Sequence, residues 1–360
     1  MRSVLLITSA CLIGVPALAA ERALNVITWG GDFTEAQAAA FARPFQLETG
    51  VKVNLIDSDD PPTPLKAQVE AGNVTTDLAS VGAGDALRFC DEGLVIPLDP
   101  DDLAPAPDGT PAKDDFLPGA LGDCFVATDI YSTVIAFDAA RTGADQPKTA
   151  ADFFDTKRFP GKRGLGKTPE FTMELALLGD GVPAAEVYPM LSTPAGMERA
   201  LAKLDQIRGD IIWWESGAQA IQLLADGEVA MTQAYSGRVF KASVVDGKDF
   251  HTIWDGQMYE VEGWVIPKGA PHLADARAFL RWTTTTDALA KVAEELPYGP
   301  PRRSSLALVG KFAGDGKTDV APHLPTAPEN MKNALLVQPE FWADHETTLR
   351  DRFNAWLVGG

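Results

Sequence analysis

Apolar and polar positions along the chain follow two periods, and segments of each period succeed one another in a regular order. Residues 24–29 form a short apolar run that stops at Gly30-Gly31. From about residue 34 to 48 the spacing is helical, with Asp32 or Thr34 as N-cap and Gly50 just past the end. Val51, Val53 and Leu55 then alternate with Lys52 and Asn54, the period of a half-buried strand. Strand, helix and strand within about thirty residues make a βαβ unit, which implies a parallel sheet.

The alternation continues. Leu65, Gln68 and Val69 predict a short helix before Gly72, residues 77–81 a buried strand, and Gly82-Ala83-Gly84 the start of a helix to about 92. Residues 126–137 are rich in β-branched and aromatic side chains and long enough to cross between two bodies. Helices are predicted over 149–155 and 169–178, the latter with Thr168 as N-cap and proline at its first position. A strand over 211–214, a helix over 217–225 ended by Gly227, and a strand over 229–235 follow. A second crossing runs over 259–267, then a helix over 273–283, while the Pro- and Asp-rich residues 97–118 read as a surface loop.

The pattern therefore predicts an α/β protein of two lobes, each a mixed, mostly parallel sheet flanked by helices, joined by crossing segments. Residues 20–133 with 266–304 form the first lobe, and residues 134–265 with 305–360 the second. Ligands of open α/β sheets bind outside the carboxyl ends of the strands, so the site is expected in the cleft between the lobes.

The N-terminus changes the setting. Met1-Arg2, an apolar stretch over 4–18 and Ala17-Leu18-Ala19 have the form of a secretory signal peptide, residues 1–19, cleaved near Ala19. Lipidation at Cys11 is the competing reading, weakened because Thr8-Ser9-Ala10 lacks the favoured leucine. Export to the periplasm removes most nucleotide-driven chemistry. The formal net charge of −19 disfavours nucleic acid and anionic membranes as partners, and equally serves solubility. No later segment has the run of about eighteen apolar residues that a spanning helix needs. Cys90 and Cys124, beyond the signal peptide, read as one disulfide in an oxidising compartment, with two buried thiols as the alternative.

Catalytic signatures are weak. Residues 161–168 (GKRGLGKT) match the phosphate-loop pattern, but the preceding Asp155-Thr156-Lys157-Arg158-Phe159-Pro160 is poor strand material. The better strand lies inside the motif, at 163–166. A secreted hydrolase lacks support: there is no G-x-S-x-G or H-E-x-x-H, and His251, His272, His323 and His345 are scattered. Glu260 and Glu262, two apart on a strand, point side by side and cannot flank a glycosidic bond. No metal or cofactor is expected.

Six phrases carry a resemblance: WGGDFTEAQAAAFARPFQLETGVKV, LKAQVEAGNVTTDL, YSTVIAFD, FPGKRGL, SGAQAIQLLADGEVAMTQAYSGR and EGWVIPKGAP. In order and spacing, over residues 24–357, they resemble the spermidine/putrescine-binding branch of bacterial extracellular solute-binding proteins, the receptors of ABC importers. The resemblance implies the two-lobe periplasmic binding protein fold (type II), a monomer that closes on a small amine such as putrescine or spermidine. It also implies delivery to an inner-membrane permease with its cytoplasmic ATPase. Trp29, Tyr235 and Glu262 fall on family positions that hold the amine, and Tyr131 where many relatives place an aromatic. Such a cation, stripped of water, needs carboxylates and π-faces in return.

The departures point elsewhere. Where spermidine binders carry carboxylates, before the helix that follows PGKRG, this chain has Lys167, Thr168 and Phe171. A lysine at a helix N-terminus favours an anion. Glu260 replaces a common tryptophan, and Asp85 a common cleft tyrosine. Trp214 is the further tryptophan best placed as a platform. The cleft is thus expected to be asymmetric, which admits a zwitterion (an aminophosphonate or an ω-amino acid) beside the linear dication.

Overall fold

The computed structural model describes residues 22–359 except Gly143, so the predicted signal peptide lies outside the described residues. Strand β1 (Ala23–Thr28) pairs in parallel with β2 (Lys52–Asp57) and β3 (Leu78–Gly82), completing the expected βαβ start. The intervening helix runs from Gly31 to Thr49 with a π-turn over Ala38–Ala42, and Gly50 ends it in the left-handed conformation at φ 70°. Neither Asp32 nor Thr34 is its N-cap; Gly30 is. Thr34 instead accepts from the Gly30 N–H at 3.1 Å and donates to Asp57 at 2.8 Å, tying the helix entry to the end of β2.

The other strands are β4 (Leu121–Gly122), β5 (Phe125–Asp138), β6 (Arg163–Gly166), β7 (Ile211–Trp214), β8 (Met231–Tyr235), β9 (Phe250–Val265) and β10 (Leu335–Leu336). They form one sheet in the order β2-β1-β3-β9-β5-β8-β6-β7, with β4 on β5 and β10 on β9. A parallel trio stands at each end, β2-β1-β3 and β8-β6-β7, and the long antiparallel pair β9-β5 joins them. β6 occupies the middle of the phosphate-loop-like stretch, pairing with β7 and β8. That stretch is strand, not a phosphate cradle.

Three predicted segments differ. β9 begins at Phe250, well before residue 259, because its polar interruption is absorbed by tertiary partners: Asp255 accepts from the Ala150 N–H at 2.8 Å and from Asn333 at 3.0 Å. The helix expected from 169 starts at Thr172, since Phe171 adopts φ 63°, a left-handed conformation that a bulky residue rarely holds. Residues 97–118 are no free surface loop. Leu103, Ala106, Ala112 and Phe116 are buried, and a buried Asp115–Arg302 ion pair at 3.0 Å pins the segment.

The hydrophobic cores locate the lobes. Leu24, Phe41, Phe89, Ile130, Trp264 and Phe279 belong to the first core, and Phe137, Phe153, Leu165, Met231, Ile253 and Phe353 to the second. A smaller core joins Val134, Trp214, Leu224 and Ala234 on the other side of the second parallel trio. β5 changes core between Ile130 and Val134, and β9 between Met258 and Tyr259. Tyr259, Val261, Trp264 and Val265 therefore pack with the first core, whereas the sequence pattern assigns them to the second lobe. Apolar periodicity does not say where along a strand buried throughout one core gives way to another. Both lobes meet where the two long strands run side by side, and the binding site is expected at this junction.

Cys90 and Cys124 are joined by a disulfide, fastening the helix Ala83–Asp91 to the entry of β5. Replacing both by serine is expected to lower the unfolding free energy by roughly 3–4 kcal/mol through loop entropy in the unfolded chain. Denaturant titration measures it, and a loss below about 1 kcal/mol would contradict the assignment of a structural crosslink.

Candidate functional site

At the junction the register sets Asp129 of β5 directly opposite Glu262 of β9, and Tyr131 opposite Glu260. Residues directly opposite on antiparallel strands share a face, so two carboxylates stand together. A register irregularity between Ala127 and Asp129 re-aims the strand beside them. Asp129 and Glu262 are only 4% and 7% exposed. The Thr128 hydroxyl donates to one Asp129 oxygen at 2.9 Å, while the other oxygen has no partner among the described residues. Burial lifts the Asp129 carboxyl to about 7. Burial, then Asp129 and Glu260, hold the Glu262 carboxyl well above its ordinary range. The Trp29 indole N–H faces Glu262 and opposes that rise slightly, without closing a hydrogen bond of good geometry.

Aromatic rings line the same junction in a connected series. Phe33 lies 6.2 Å from Tyr298, Tyr298 6.1 Å from Tyr131, Tyr131 6.2 Å from Tyr235, and Tyr235 6.4 Å from Trp214. The series starts in the first lobe and ends in the second. Glu260 sits against it: burial raises its carboxyl to about 8, the Tyr131 hydroxyl opposes this, and one oxygen lacks a partner among the described residues. Burial and the neighbouring carboxylates push the Tyr131 and Tyr298 hydroxyls up as well.

Second-lobe residues complete the opposite wall. The left-handed Phe171 leaves Glu170 half-buried, within electrostatic reach of Glu260 and Tyr235, and its carboxyl rises to about 7 by burial and by Glu346, against Arg350. Arg238 follows β8 and lies along Tyr235. A Cβ on Gly217 would come within 2.7 Å of the Tyr235 ring and 2.9 Å of the Arg238 Nε, so only glycine admits both side chains. Arg238 makes no ion pair or hydrogen bond among the described residues, although it lowers the Tyr235 and Tyr298 pKa values. It is an unspent cation on the wall facing the acids.

Of the residues singled out from sequence, Trp29, Tyr131, Trp214, Tyr235, Glu260 and Glu262 are thus gathered at the junction. Asp85 stands at its first-lobe edge, ion-paired with Arg88 at 2.6 Å and raising Glu262. Lys167 and Thr168 follow β6 at the edge of this group, the Lys167 N–H donating to the Trp214 carbonyl at 3.0 Å. Lys167 is exposed and pairs with Glu215 at 3.2 Å, and the exposed Thr168 donates to the Glu170 carbonyl at 3.0 Å. With the helix starting only at Thr172, Lys167 is not at a helix N-terminus, so the anion-attracting role inferred from that position loses its geometric basis.

Asp129, Glu170, Arg238 and Tyr298 were not singled out. Asp129 carried the same signal as Glu262, a lone acid in an apolar strand. Tyr298 reaches the site only because Ile130 and Gly299 exchange backbone hydrogen bonds of 2.8 and 2.7 Å. A separate cavity of about 360 Å3 beside Arg141, Phe159 and Gly227 takes none of these residues, and its Arg141 and Arg158 are already paired with aspartates.

Two α/β lobes with a polar, aromatic junction have the architecture of a two-lobe periplasmic binding protein. Residues 40–326 match the family model of the bacterial extracellular solute-binding proteins, and the chain belongs to that family. It is 41% identical over 342 residues to the gamma-aminobutyric acid-binding protein of Pseudomonas aeruginosa, covering 95% of this chain and 93% of that protein. Among solved structures it resembles MotA of A. tumefaciens B6 in complex with glucopine, at 33% identity and TM-score 0.74 over 93% of this chain and 99% of that one. It also resembles the GABA receptor Atu4243, at 32% identity and TM-score 0.76 over 94% and 98%. The protein is the substrate-binding component of an ABC transporter, a class that binds small molecules, works with a membrane permease and ATPase, and is not enzymatic.

The raised carboxyls have a consequence for stability. In the unfolded chain they ionise near pH 4, whereas the fold keeps Asp129 protonated to about 7 and Glu260 to about 8. The native state then binds more protons, so their contribution is most favourable below about pH 4 and is lost as pH rises to 7–8. Melting of the ligand-free protein is expected to show this decline between about pH 5 and 8, and Glu260→Gln to flatten it. An unchanged slope in Glu260→Gln would show that Glu260 is ionised at neutral pH.

Proposed function

We propose that this receptor binds a small zwitterionic amine of the ω-amino acid class, γ-aminobutyrate being the leading member, and not a polyamine. The observation that carries the reading is the separation of unspent charges. Asp129 and Glu262 are buried and Glu260 half-buried, without a cation among the described residues, while the exposed Arg238 lies beside Tyr235 on the second-lobe wall with no ion pair among them. The ammonium end takes the carboxylates and the π-faces of Tyr131, Tyr235 and Tyr298. The carboxylate end takes the Arg238 guanidinium, whose fork suits it. A linear diamine would leave Arg238 facing a like charge. Similarity to a protein and a structure both named for GABA supports the same reading.

Lobe closure over the ligand follows from contacts that reach across the cleft. Lys241 of the second lobe pairs with Asp32 of the first at 2.6 Å, and Pro339 packs so close to Gly84 that a Cβ there would come within 2.9 Å. A ligand touching both walls favours this closed arrangement by the contacts it makes only there.

Calorimetry with γ-aminobutyrate, putrescine and spermidine tests the assignment. The wild type is expected to bind γ-aminobutyrate at least a hundredfold tighter than putrescine. Glu262→Gln should weaken binding more than tenfold, and Arg238→Ala by about 10–100-fold, the worth of a hydrogen bond to a charged group. Lys167→Ala should change affinity less than about threefold, because its charge is spent on an exposed partner. Putrescine binding that survives Arg238→Ala, with no γ-aminobutyrate binding in the wild type, would restore the polyamine reading.

A further inference from the structure

We propose that Asp129 and Glu262 share a proton in the free receptor and release it when the ligand's ammonium group arrives, so that solute capture is coupled to proton release. The inference rests on the reading that the amine end of the ligand lies at this pair.

The argument is geometric first. The two residues are directly paired in the β5–β9 register, both are buried, and neither has a lysine, arginine or histidine partner among the described residues. Two carboxylates placed side by side away from water cannot both ionise without a counter-charge; one keeps its proton. Neighbouring groups do not supply that charge. Glu260 and Asp85 are further acids that raise Glu262 rather than compensate it, and Arg88 is held by Asp85. The Tyr298 hydroxyl responds to the same two acids and stays neutral, while Arg238 acts on Tyr298 and Tyr235 rather than on the pair. Thr128 donates one hydrogen bond, which steadies Asp129 without neutralising it. The upward displacement of both carboxyls agrees with this picture.

An ammonium group changes the balance. Its charge compensates two carboxylates at once, so the carboxyl O–H bond breaks and the proton passes to water and buffer. The ammonium retains its own protons and donates them to both acids. Release is largest where the free pair is half-protonated or more and the bound pair is ionised, which covers mildly acidic to neutral pH. Affinity then rises with pH by up to tenfold per unit. The receptor loads poorly in acid and strongly near neutrality, a dependence set by the cleft itself.

The test is titration calorimetry of the wild type with γ-aminobutyrate at about pH 6.5 in buffers of different ionisation heat, where the slope of heat against that quantity counts protons exchanged. About half to one proton released is expected, and less in Asp129→Asn combined with Glu260→Gln, which removes the like charge that helps keep Glu262 protonated and the second acid that could release a proton. Binding with no buffer dependence would overturn the proton coupling and leave the zwitterion assignment standing. Absence of γ-aminobutyrate binding would strike the assignment instead. A second measurement needs no ligand: carboxyl carbon NMR of the free protein, labelled at Asp and Glu, with Asp129→Asn and Glu262→Gln to identify the signals. One carboxyl of the pair still protonated at about pH 6 supports the proposal, and both ionised there would overturn it.

Discussion

Two acids facing each other at the centre of the sheet, with no cationic partner among the described residues, constrain the rest of the site. Asp129 and Glu262 can stand together only because β5 and β9 are long, antiparallel and shared by both lobes, which fixes their register over many residues. The same strands join the two parallel trios and the two hydrophobic cores. Burial that would be a defect in an ordinary core is, on the proposed function, what a positively charged guest would compensate. The ligand completes the electrostatics of the fold as much as the fold encloses the ligand.

The surrounding residues answer to that demand in layers. Tyrosine rings offer π-faces while their hydroxyls, pushed up in pKa, remain neutral beside the acids. Gly217 leaves room for Tyr235 and Arg238 to lie together, so the anion-seeking group is placed by the absence of a side chain. The left-handed Phe171 delays the next helix and brings Glu170 toward the same space. Backbone conformations that a sequence disfavours are found where they position charge.

Charge already committed elsewhere separates participants from bystanders. Lys167 and Arg238 are both exposed cations, but Lys167 is paired with Glu215, whereas Arg238 lies beside the Tyr235 ring with no ion pair or side-chain hydrogen bond among the described residues. Arg163 and Arg302 are fully buried but are satisfied by backbone carbonyls and by Asp115. These groups hold loops together and have nothing left to offer a solute.

The succession of strand and helix periods was enough to give the α/β class, two lobes, the two crossings and the cleft. Several elements, such as Ile211–Trp214 and Leu273–Thr283, fall where the pattern puts them. Local periodicity reports which face of an element is buried, and that information is complete within a few turns of chain. Trp29, Tyr131, Tyr235 and Glu262 are marked by the family positions they fall on and Glu260 by its departure from one, while Trp29 at a strand end and Glu262 in an apolar run are also anomalous on their own. Only the tertiary structure could decide that Asp129 meets Glu262, that Tyr298 arrives through the Ile130–Gly299 pairing, and that Lys167 turns to Glu215. Those are contacts between segments far apart in the chain, set by strand register and by single backbone angles such as that of Phe171, and no local period records them.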